Sequence, residues 1–131
     1  MVGDPVSDTI TRLRNATRAG RSSTLVPYSK LRAEILAALL REGIILSYES
    51  RGKKVKRHLV VELDMRAPRR SVLGSISSVS KPSRRVYRSA KDLGTLARRH
   101  SLTLISTTKG LLSARDAVKE NVGGEVLCMI R

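Results

Sequence analysis

The sequence predicts a mixed α/β protein of the α+β kind, made of two small subdomains. Three observations predict it: apolar stripes at helical spacing alternate with short apolar runs typical of strands, polar caps and glycines bracket the helical segments, and no internal repeat is present. The 131 residues, 40% of them hydrophobic, suffice for a buried core. We expect an N-terminal α/β subdomain at residues 1–65, in the order αβαββ, and a mainly β C-terminal subdomain with short helices at residues 66–131.

The first helix is predicted to begin at Asp4, the N-cap, with Pro5 in the first helical position. Gly20 is expected to end it. Its buried stripe follows helical spacing and consists of Val6, Ile10, Leu13 and Thr17. Four arginines lie off that stripe and predict a basic outer side: Arg12, Arg14, Arg18 and Arg21.

A short strand at residues 24–28 precedes a second helix, which Ser29 caps and Gly43 ends. The buried face of this helix is predicted to comprise Leu31, Ile35, Leu36, Leu39 and Leu40. Residues 44–50 and 55–63 then predict two strands, joined by a hairpin with a basic tip at residues 51–54.

The second half begins with a charged, proline-containing segment at residues 64–71, which predicts a linker without regular structure. Ser89 and Asp92 have capping-box spacing and predict a helix. Ser113 and Asp116 predict a further, shorter helix. Four strands are expected in this half, at residues 72–79, 84–88, 102–105 and 125–130.

The charge is strongly positive and unevenly distributed. The formal net charge is +15, and residues 66–131 carry 14 basic and 4 acidic side chains, against 12 and 7 in residues 1–65. Such a field favours a polyanionic partner, of which nucleic acid is the commonest. An anionic membrane surface would instead require a basic amphipathic helix or an apolar anchor, and neither is visible. The C-terminal half is therefore predicted to be the main polyanion-binding part.

Aromatic residues are nearly absent, with Tyr28, Tyr48 and Tyr87 and no Phe or Trp. Proteins that stack the bases of single strands need a row of exposed rings, which this chain cannot supply. Recognition through shape, phosphates and sugar hydroxyls remains, and it points to folded RNA or a duplex.

A hydroxyl-rich segment, Ser106-Thr107-Thr108-Lys109-Gly110, follows the third of the four expected strands. Its hydroxyls can donate and accept hydrogen bonds, Lys109 offers a point charge, and Gly110 permits a tight turn. This combination suits sugar hydroxyls and phosphates better than covalent chemistry. The alternative is an ordinary turn, in which Ser and Thr are common.

Residues 80–88 form the densest basic segment that contains an aromatic residue. In a strand, Arg84, Val86 and Arg88 would face one side and Arg85 and Tyr87 the other. The segment is interpreted as a phosphate-binding strand or, equally, as a solvated edge strand protected by its charges. Glu125, which follows two glycines, could orient a neighbouring cation or accept a hydrogen bond from a base amino group; the alternative is a simple turn.

No constellation typical of an enzyme or a metal site is present in the sequence. His58 and His100 lie near no paired carboxylates or nucleophile, no nucleotide-binding glycine loop occurs, and the Cys/His spacing of zinc sites is missing. Cys128 is interpreted as a small buried hydrophobe. We expect no catalysis, no metal and no cofactor. No secretory signal or membrane span is visible, which favours a soluble protein in a reducing compartment.

Five motifs in the same order and spacing resemble the small-subunit ribosomal protein S-eight family, bacterial or organellar type. They cover nearly the whole chain and lie at residues 4–16, 29–31, 80–88, 106–110 and 123–128. The resemblance implies an α/β part packed on a mainly β part. It also implies a structural protein that binds the central domain of small-subunit ribosomal RNA early in assembly, beside other small-subunit proteins. Since no presequence is visible, a cytoplasmic ribosome is expected, and an organellar ribosome is the alternative.

The resemblance further implies which residues contact RNA. The family's hydroxyl loop enters the RNA minor groove, which implies contacts by Ser106, Thr107, Thr108, Lys109 and Gly110. The other expected RNA-binding residues are Lys81, Arg84, Arg85, Tyr87 and Glu125 in the C-terminal half, and Arg12, Arg14 and Lys30 in the N-terminal half. Bacterial relatives can also bind a similar structure in their own operon's messenger RNA and repress translation, which is the alternative function.

The chain departs from the family pattern at three places. Thr108 stands where serine is usual, and Met129 stands where an aromatic residue is common, so no ring contact is expected there. Residues 98–101 replace a glycine-containing stretch and add charge.

Overall fold

The computed structural model describes residues 4–66 and 69–130. The chain divides into two compact units, residues 1–75 and residues 76–131. Both units combine helices with an antiparallel sheet, so the predicted mixed α/β class is confirmed. No helix in the described part of the chain is long and apolar enough to cross a membrane.

Unit 1 packs helices against a three-stranded sheet. Its helices are α1 (Pro5–Arg18), α2 (Lys30–Arg41) and α3 (Arg69–Gly74), and its strands are β1 (Ser23–Pro27), β2 (Ile45–Arg51) and β3 (His58–Leu63). β3 lies in the centre and pairs antiparallel with β1 and β2. The predicted αβαββ order is confirmed, and α3 follows it.

Both long helices of unit 1 begin at the predicted caps. The Asp4 side chain accepts a hydrogen bond from the Val6 amide at 3.1 Å, and the Ser29 hydroxyl accepts one from the Arg32 amide at 3.1 Å. The predicted stripe of α1 is buried. In α2 the prediction was wrong at Leu40, which is 39% exposed because it lies at the edge of the apolar stripe. Leu31, in the first turn, is only half-buried.

The connection between β2 and β3 is longer than the sequence predicted. Lys54–Lys56 forms one turn of 3₁₀ helix, so β3 begins at His58 and not at residue 55. Lys54 has φ 53°, which interrupts an extended chain, and Val55 is 98% exposed, so no packing holds it in a strand. The basic residues therefore project on a loop beyond the paired strands.

Helix α3 contradicts two expectations, an irregular linker over residues 64–71 and a strand over residues 72–79. Of that linker, residues 67 and 68 lie outside the described part. The Arg18 guanidinium donates to the carbonyl oxygen of Gly74 at 3.0 Å, which satisfies a backbone group at the helix end. Leu73 is buried. Tertiary packing thus selects a helix for residues whose β-branched and serine content indicated a strand.

Unit 2 is a five-stranded sheet covered on one face by two helices. In chain order its elements are β4 (Ser77–Ser78), β5 (Tyr87–Arg88), α4 (Ala90–Arg99), β6 (Leu102–Thr107), β7 (Gly110–Ser113), α5 (Ala114–Lys119) and β8 (Gly124–Ile130). The strand order is β4-β8-β6-β7, and β5 also pairs with β8. The predicted strand at residues 84–88 shrinks to β5, and β7 was not predicted.

The helices of unit 2 cover one face of the sheet. The expected caps are confirmed, since the Ser89 hydroxyl accepts from the Asp92 amide at 3.3 Å and the Ser113 hydroxyl accepts from the Asp116 amide at 3.2 Å. Leu93 of α4 and two alanines of α5 pack with Ile105 and Val126 of the sheet. Ser106 and Glu125, which adjoin Ile105 and Val126 in their strands, therefore face away from the helices. We call the surface at this end of the sheet, around Ser106, Glu125 and Tyr87, the open face.

Candidate nucleic-acid interface

The hydroxyl-rich segment is a tight hairpin. Ser106 and Thr107 end β6, Thr108 and Lys109 form the turn, and Gly110 begins β7 opposite Thr107. The Thr107 hydroxyl accepts from the Lys109 amide at 3.0 Å and donates to the Gly110 carbonyl at 2.8 Å. Gly110 has φ 101°, which few other residues adopt. Thr107 thus holds the turn, while Thr108 and Lys109 project into solvent.

Lys109 is the only basic residue of this hairpin, and its side chain lies beside that of Glu120. Its Nζ lies 3.1 Å from Oε2 of Glu120, and both side chains are slightly more than half exposed. Exposed pairs of this kind contribute at most about 1 kcal/mol. Lys109 can therefore exchange Glu120 for a phosphate at little cost.

Three predicted contact residues line up across the open face. In the sheet register Tyr87 pairs with Glu125, and Glu125 pairs with Ser106. Tyr87 is 64% exposed, and the Glu125 side chain is largely covered at 17%. A ring, a carboxylate and a hydroxyl thus form a row that runs perpendicular to the strands.

Arg85 joins this row from the neighbouring loop. Its Nη1 lies 3.2 Å from Oε2 of Glu125, which corresponds to the first of the two roles considered for that carboxylate. Val86 instead packs against the helix-covered cluster. The predicted division of this segment is therefore confirmed for three residues, with Arg85 and Tyr87 on one side and Val86 on the other.

Residues 80–86 form a second hairpin, with Pro82 and Ser83 at its tip. The buried Ser80 hydroxyl accepts from the Val86 amide at 2.8 Å, and backbone bonds of 3.0 and 2.9 Å join Lys81 and Arg84 in both directions. Backbone bonds to β8 anchor both arms. The exposed side chains of Lys81 and Arg84 border an open groove of about 480 Å³. These hydrogen bonds therefore fix the backbone of the loop that carries Lys81 and Arg84.

The N-terminal candidates lie in unit 1. The Arg12 guanidinium pairs with Asp8 at 2.9 Å and donates to the Leu25 carbonyl at 3.4 Å. Arg14 is half-buried, and Lys30 is exposed at the start of α2. Burial raises the pKa of Asp8, but its hydrogen bonds to Arg32 and Arg12 outweigh burial and hold the pKa below its ordinary value.

Unit 1 also carries a cationic cluster that is not among the expected RNA contacts. The loop between β2 and β3 presents Lys53, Lys54 and Lys56, and we call it the basic loop. Beside it, the Arg57 guanidinium lies 3.6 Å from the centroid of the Tyr28 ring and donates to the Ser50 hydroxyl at 2.9 Å. The sequence signal for this cluster is the basic tip of the predicted hairpin at residues 51–54.

Nothing in the described residues resembles a metal centre, since no group of three or more His, Cys, Asp or Glu side chains is placed to bind an ion. Cys128 is buried, as expected, and burial raises the pKa of its thiol to about 12, although a hydrogen bond with the Leu104 backbone lowers it in part. The thiol is therefore protonated near neutral pH and poorly nucleophilic.

The chain is similar to known proteins over nearly its full length. A family model described as Ribosomal protein S8 matches residues 4–130. A protein of Synechococcus elongatus named small ribosomal subunit protein uS8 is 40% identical over 130 residues, covering 98% of both chains. The protein of that name from Thermus thermophilus is 41% identical over an alignment of 138 positions, covering 99% of both. A third, from Crocosphaera subtropica, is 40% identical over 128 residues and covers 97% of this chain and 96% of its own.

Proposed function

The chain belongs to the ribosomal protein S8 family, and we propose that it binds the central domain of small-subunit ribosomal RNA during assembly of the subunit. Membership of this family makes it a structural component of the ribosome and not an enzyme. In this proposal the protein binds the RNA and stabilises its folded structure.

The observation that carries the proposal is the row of Tyr87, Glu125 and Ser106 on the open face. One end of the row continues into the hydroxyl-rich hairpin, and Arg85 and the hairpin of residues 80–86 flank the other. Hydroxyls and a carboxylate can contact ribose 2′-hydroxyls and base edges in the wide, shallow minor groove of RNA. Flanking cations neutralise phosphates.

The two kinds of contact have different roles in this proposal. Lys81, Arg84 and Lys109 supply affinity that depends on salt but not on sequence, because they replace counterions on the RNA backbone. Ser106, Thr108 and the Glu125 carboxylate supply local fit, because a misplaced RNA leaves their polar atoms without partners. Arg85 orients Glu125 and shields its charge from nearby phosphates.

Unit 1 contributes further phosphate contacts. Arg12, Arg14 and Lys30 were expected from the family resemblance, and the basic loop adds three exposed lysines. The hydrogen bonds of Arg12 to Asp8 and to the Leu25 carbonyl favour a positioning role for it within unit 1, whereas Lys30 and the basic loop point into solvent.

The alternative function, binding of the chain's own messenger RNA to repress translation, would use the same surface. A messenger segment with the same irregular helix would meet the same hydroxyls, carboxylate and cations. The alternative therefore adds an RNA partner and does not replace the ribosomal role.

The test is binding of the full chain to a central-domain ribosomal RNA fragment over a range of salt concentrations. A non-cognate duplex of equal length and the leader of its own messenger are the comparison RNAs. We expect the ribosomal fragment to bind tightly at salt concentrations that release the duplex. Equal, salt-labile binding to both would reduce the protein to a general polyanion binder and overturn the proposal. Tight binding to the messenger leader as well would support the repressor function.

A further inference from the structure

A groove lies between α4 and α5 on the helix-covered side of unit 2, away from the open face. Its volume is about 470 Å³, and its lining comes only from these two helices. Because Ser106 and Glu125 face the other way, an RNA bound on the open face would leave this groove accessible. None of the expected RNA contacts lines it.

The floor of the groove is apolar and uncovered. Gly94 and Ala97 of α4 are too small to fill the space between the helices, and Val118 of α5 is 40% exposed at its edge. On their other side the same helices pack Leu93 and Ala117 into the core. The groove is therefore bordered by two anchored helices.

The rim of the groove is entirely cationic, with Arg98 from α4 and Arg115 and Lys119 from α5. No carboxylate lines it. The Arg98 guanidinium lies 3.5 Å from the Thr95 hydroxyl. Among the described residues, Arg115 and Lys119 form no ion pair with a carboxylate. Arg98 also belongs to the stretch that adds charge relative to the family pattern.

We propose that this groove docks an acidic segment of a neighbouring protein, with an aliphatic side chain on Ala97 and Val118 and carboxylates on the three rim cations. The charge selects an anionic occupant, and the apolar floor selects a protein over RNA, because a phosphate backbone would leave that floor uncovered. The inference rests on the proposed function only in that a protein assembled into a ribosomal subunit lies beside other proteins.

The test uses a synthetic peptide built from repeats of Glu-Glu-Leu-Glu and the isotope-labelled full chain. We expect the peptide to shift the amide resonances of Gly94, Ala97 and Val118. A peptide with Ser in place of Leu should bind several-fold more weakly, because only the Leu side chain covers the apolar floor. Equal binding of the two peptides, or shifts centred on the basic loop, would overturn the proposal.

Variants of the chain distinguish peptide binding in the groove from general electrostatic attraction. The double change Arg98→Glu and Lys119→Glu should weaken peptide binding about tenfold or more, since it removes two cations and adds two repulsive charges. Lys91→Glu with Arg99→Glu makes the same charge change on exposed positions outside the groove, and an equal loss there would contradict the proposal. Val118→Thr removes apolar contact at constant charge and shape, and should also weaken binding.

Binding to the ribosomal RNA fragment is measured on the same variants. If the chain does not bind this fragment, the proposed function is refuted, and the peptide result is unaffected. We expect the groove double variant to lose no more RNA affinity than the control double variant. If instead the RNA competes with the peptide and shifts the groove amides, the groove is part of the RNA surface and the docking proposal is wrong.

Discussion

A Cβ atom at position 124 would lie 2.1 Å from the carbonyl oxygen of Ser106. β8 and β6 therefore approach each other so closely at this point that only glycine fits. Glu125, the next residue, pairs with Ser106 in the sheet. The glycine thus determines how the carboxylate and the hydroxyl of the candidate interface are placed, and its role goes beyond a turn.

We expect Gly124→Ala to lower the free energy of unfolding by more than about 2 kcal/mol, because backbone atoms cannot yield as a flexible side chain does. Denaturant unfolding measures this. Gly94→Ala is the matched control: its Cβ would meet only the end of Arg98 at 3.7 Å, within a helix. Gly94→Ala should raise the free energy of unfolding by about 0.5–1 kcal/mol. Similar effects at both positions would mean that the close approach of β6 and β8 is not rigid.

Ser106 and Thr107 are expected to affect RNA binding in different ways. Ser106→Ala removes a hydroxyl from the open face and should reduce specific binding to the ribosomal fragment more than binding to a non-cognate duplex. Thr107→Val removes the two hydrogen bonds that hold the turn and should also destabilise unit 2 by about 1 kcal/mol. Fragment and duplex titrations with thermal unfolding distinguish them. Equal losses of both RNAs for Ser106→Ala would refute its role in fit.

Lys109→Ala should weaken binding and lower the salt dependence by about one counterion, because one phosphate contact is lost. Glu120→Gln, which removes the partner carboxylate, should leave affinity unchanged or raise it, since Lys109 is then available to the RNA. Affinity measured against salt concentration tests both. A salt slope that does not change in Lys109→Ala would exclude this lysine as a phosphate ligand.

The basic loop is expected to bind phosphates. Replacing Lys53, Lys54 and Lys56 together by Gln should lower the salt slope by up to about three counterions and leave the unfolding free energy almost unchanged. Arg51→Gln is a single-charge comparison in the same hairpin: its exposed pair with Glu49, at 3.3 Å, can also open, so this variant should lower the slope by at most about one counterion. An unaltered slope in the triple variant would show that the loop does not contact the RNA.

Asp8 should make the stability of unit 1 depend on acid pH. Its folded pKa lies below the ordinary value, so its contribution is complete above that value and is lost as pH falls through the folded pKa. Asp8→Asn should cost about 0.5–1 kcal/mol near neutral pH, the range for partly exposed ion pairs, and should make the loss of stability below about pH 4 less steep. Urea unfolding at several pH values measures this, with Glu34→Gln as a control of equal charge change. A parallel pH profile in Asp8→Asn would contradict the prediction.

The parts of the fold predicted best are those determined by near neighbours in the chain. The four helix caps, at Asp4, Ser29, Ser89 and Ser113, form where expected, since each bonds to an amide two or three residues away. Strand lengths were predicted less well. Residues 72–79 contain a helix end and only two strand residues, because packing around Leu73 and the Arg18 bond outweighs local preference.

The candidate site was likewise predicted only in part from the sequence. Charge, hydroxyl content and the scarcity of aromatic residues indicated RNA and the segments that would contact it. The row of Tyr87, Glu125 and Ser106 could not be predicted from spacing, because the register of β8 against β6 depends on a bulge in β8, where Leu104 pairs with Cys128 but Ile105 pairs with Val126. The groove between α4 and α5 was not predicted at all, since it depends on how two helices lie on one sheet.

The sequence by itself thus determined the composition of this protein's surface, the caps and buried stripes of its helices, and its preference for a polyanion. Each depends on residue type or on contacts within a few positions. Only the tertiary structure decided that Arg85 pairs with Glu125, forty positions away, and that Gly124 must remain glycine. Such contacts form only after the sheet has aligned distant segments, and many alternative alignments satisfy the same local pattern of apolar and polar residues.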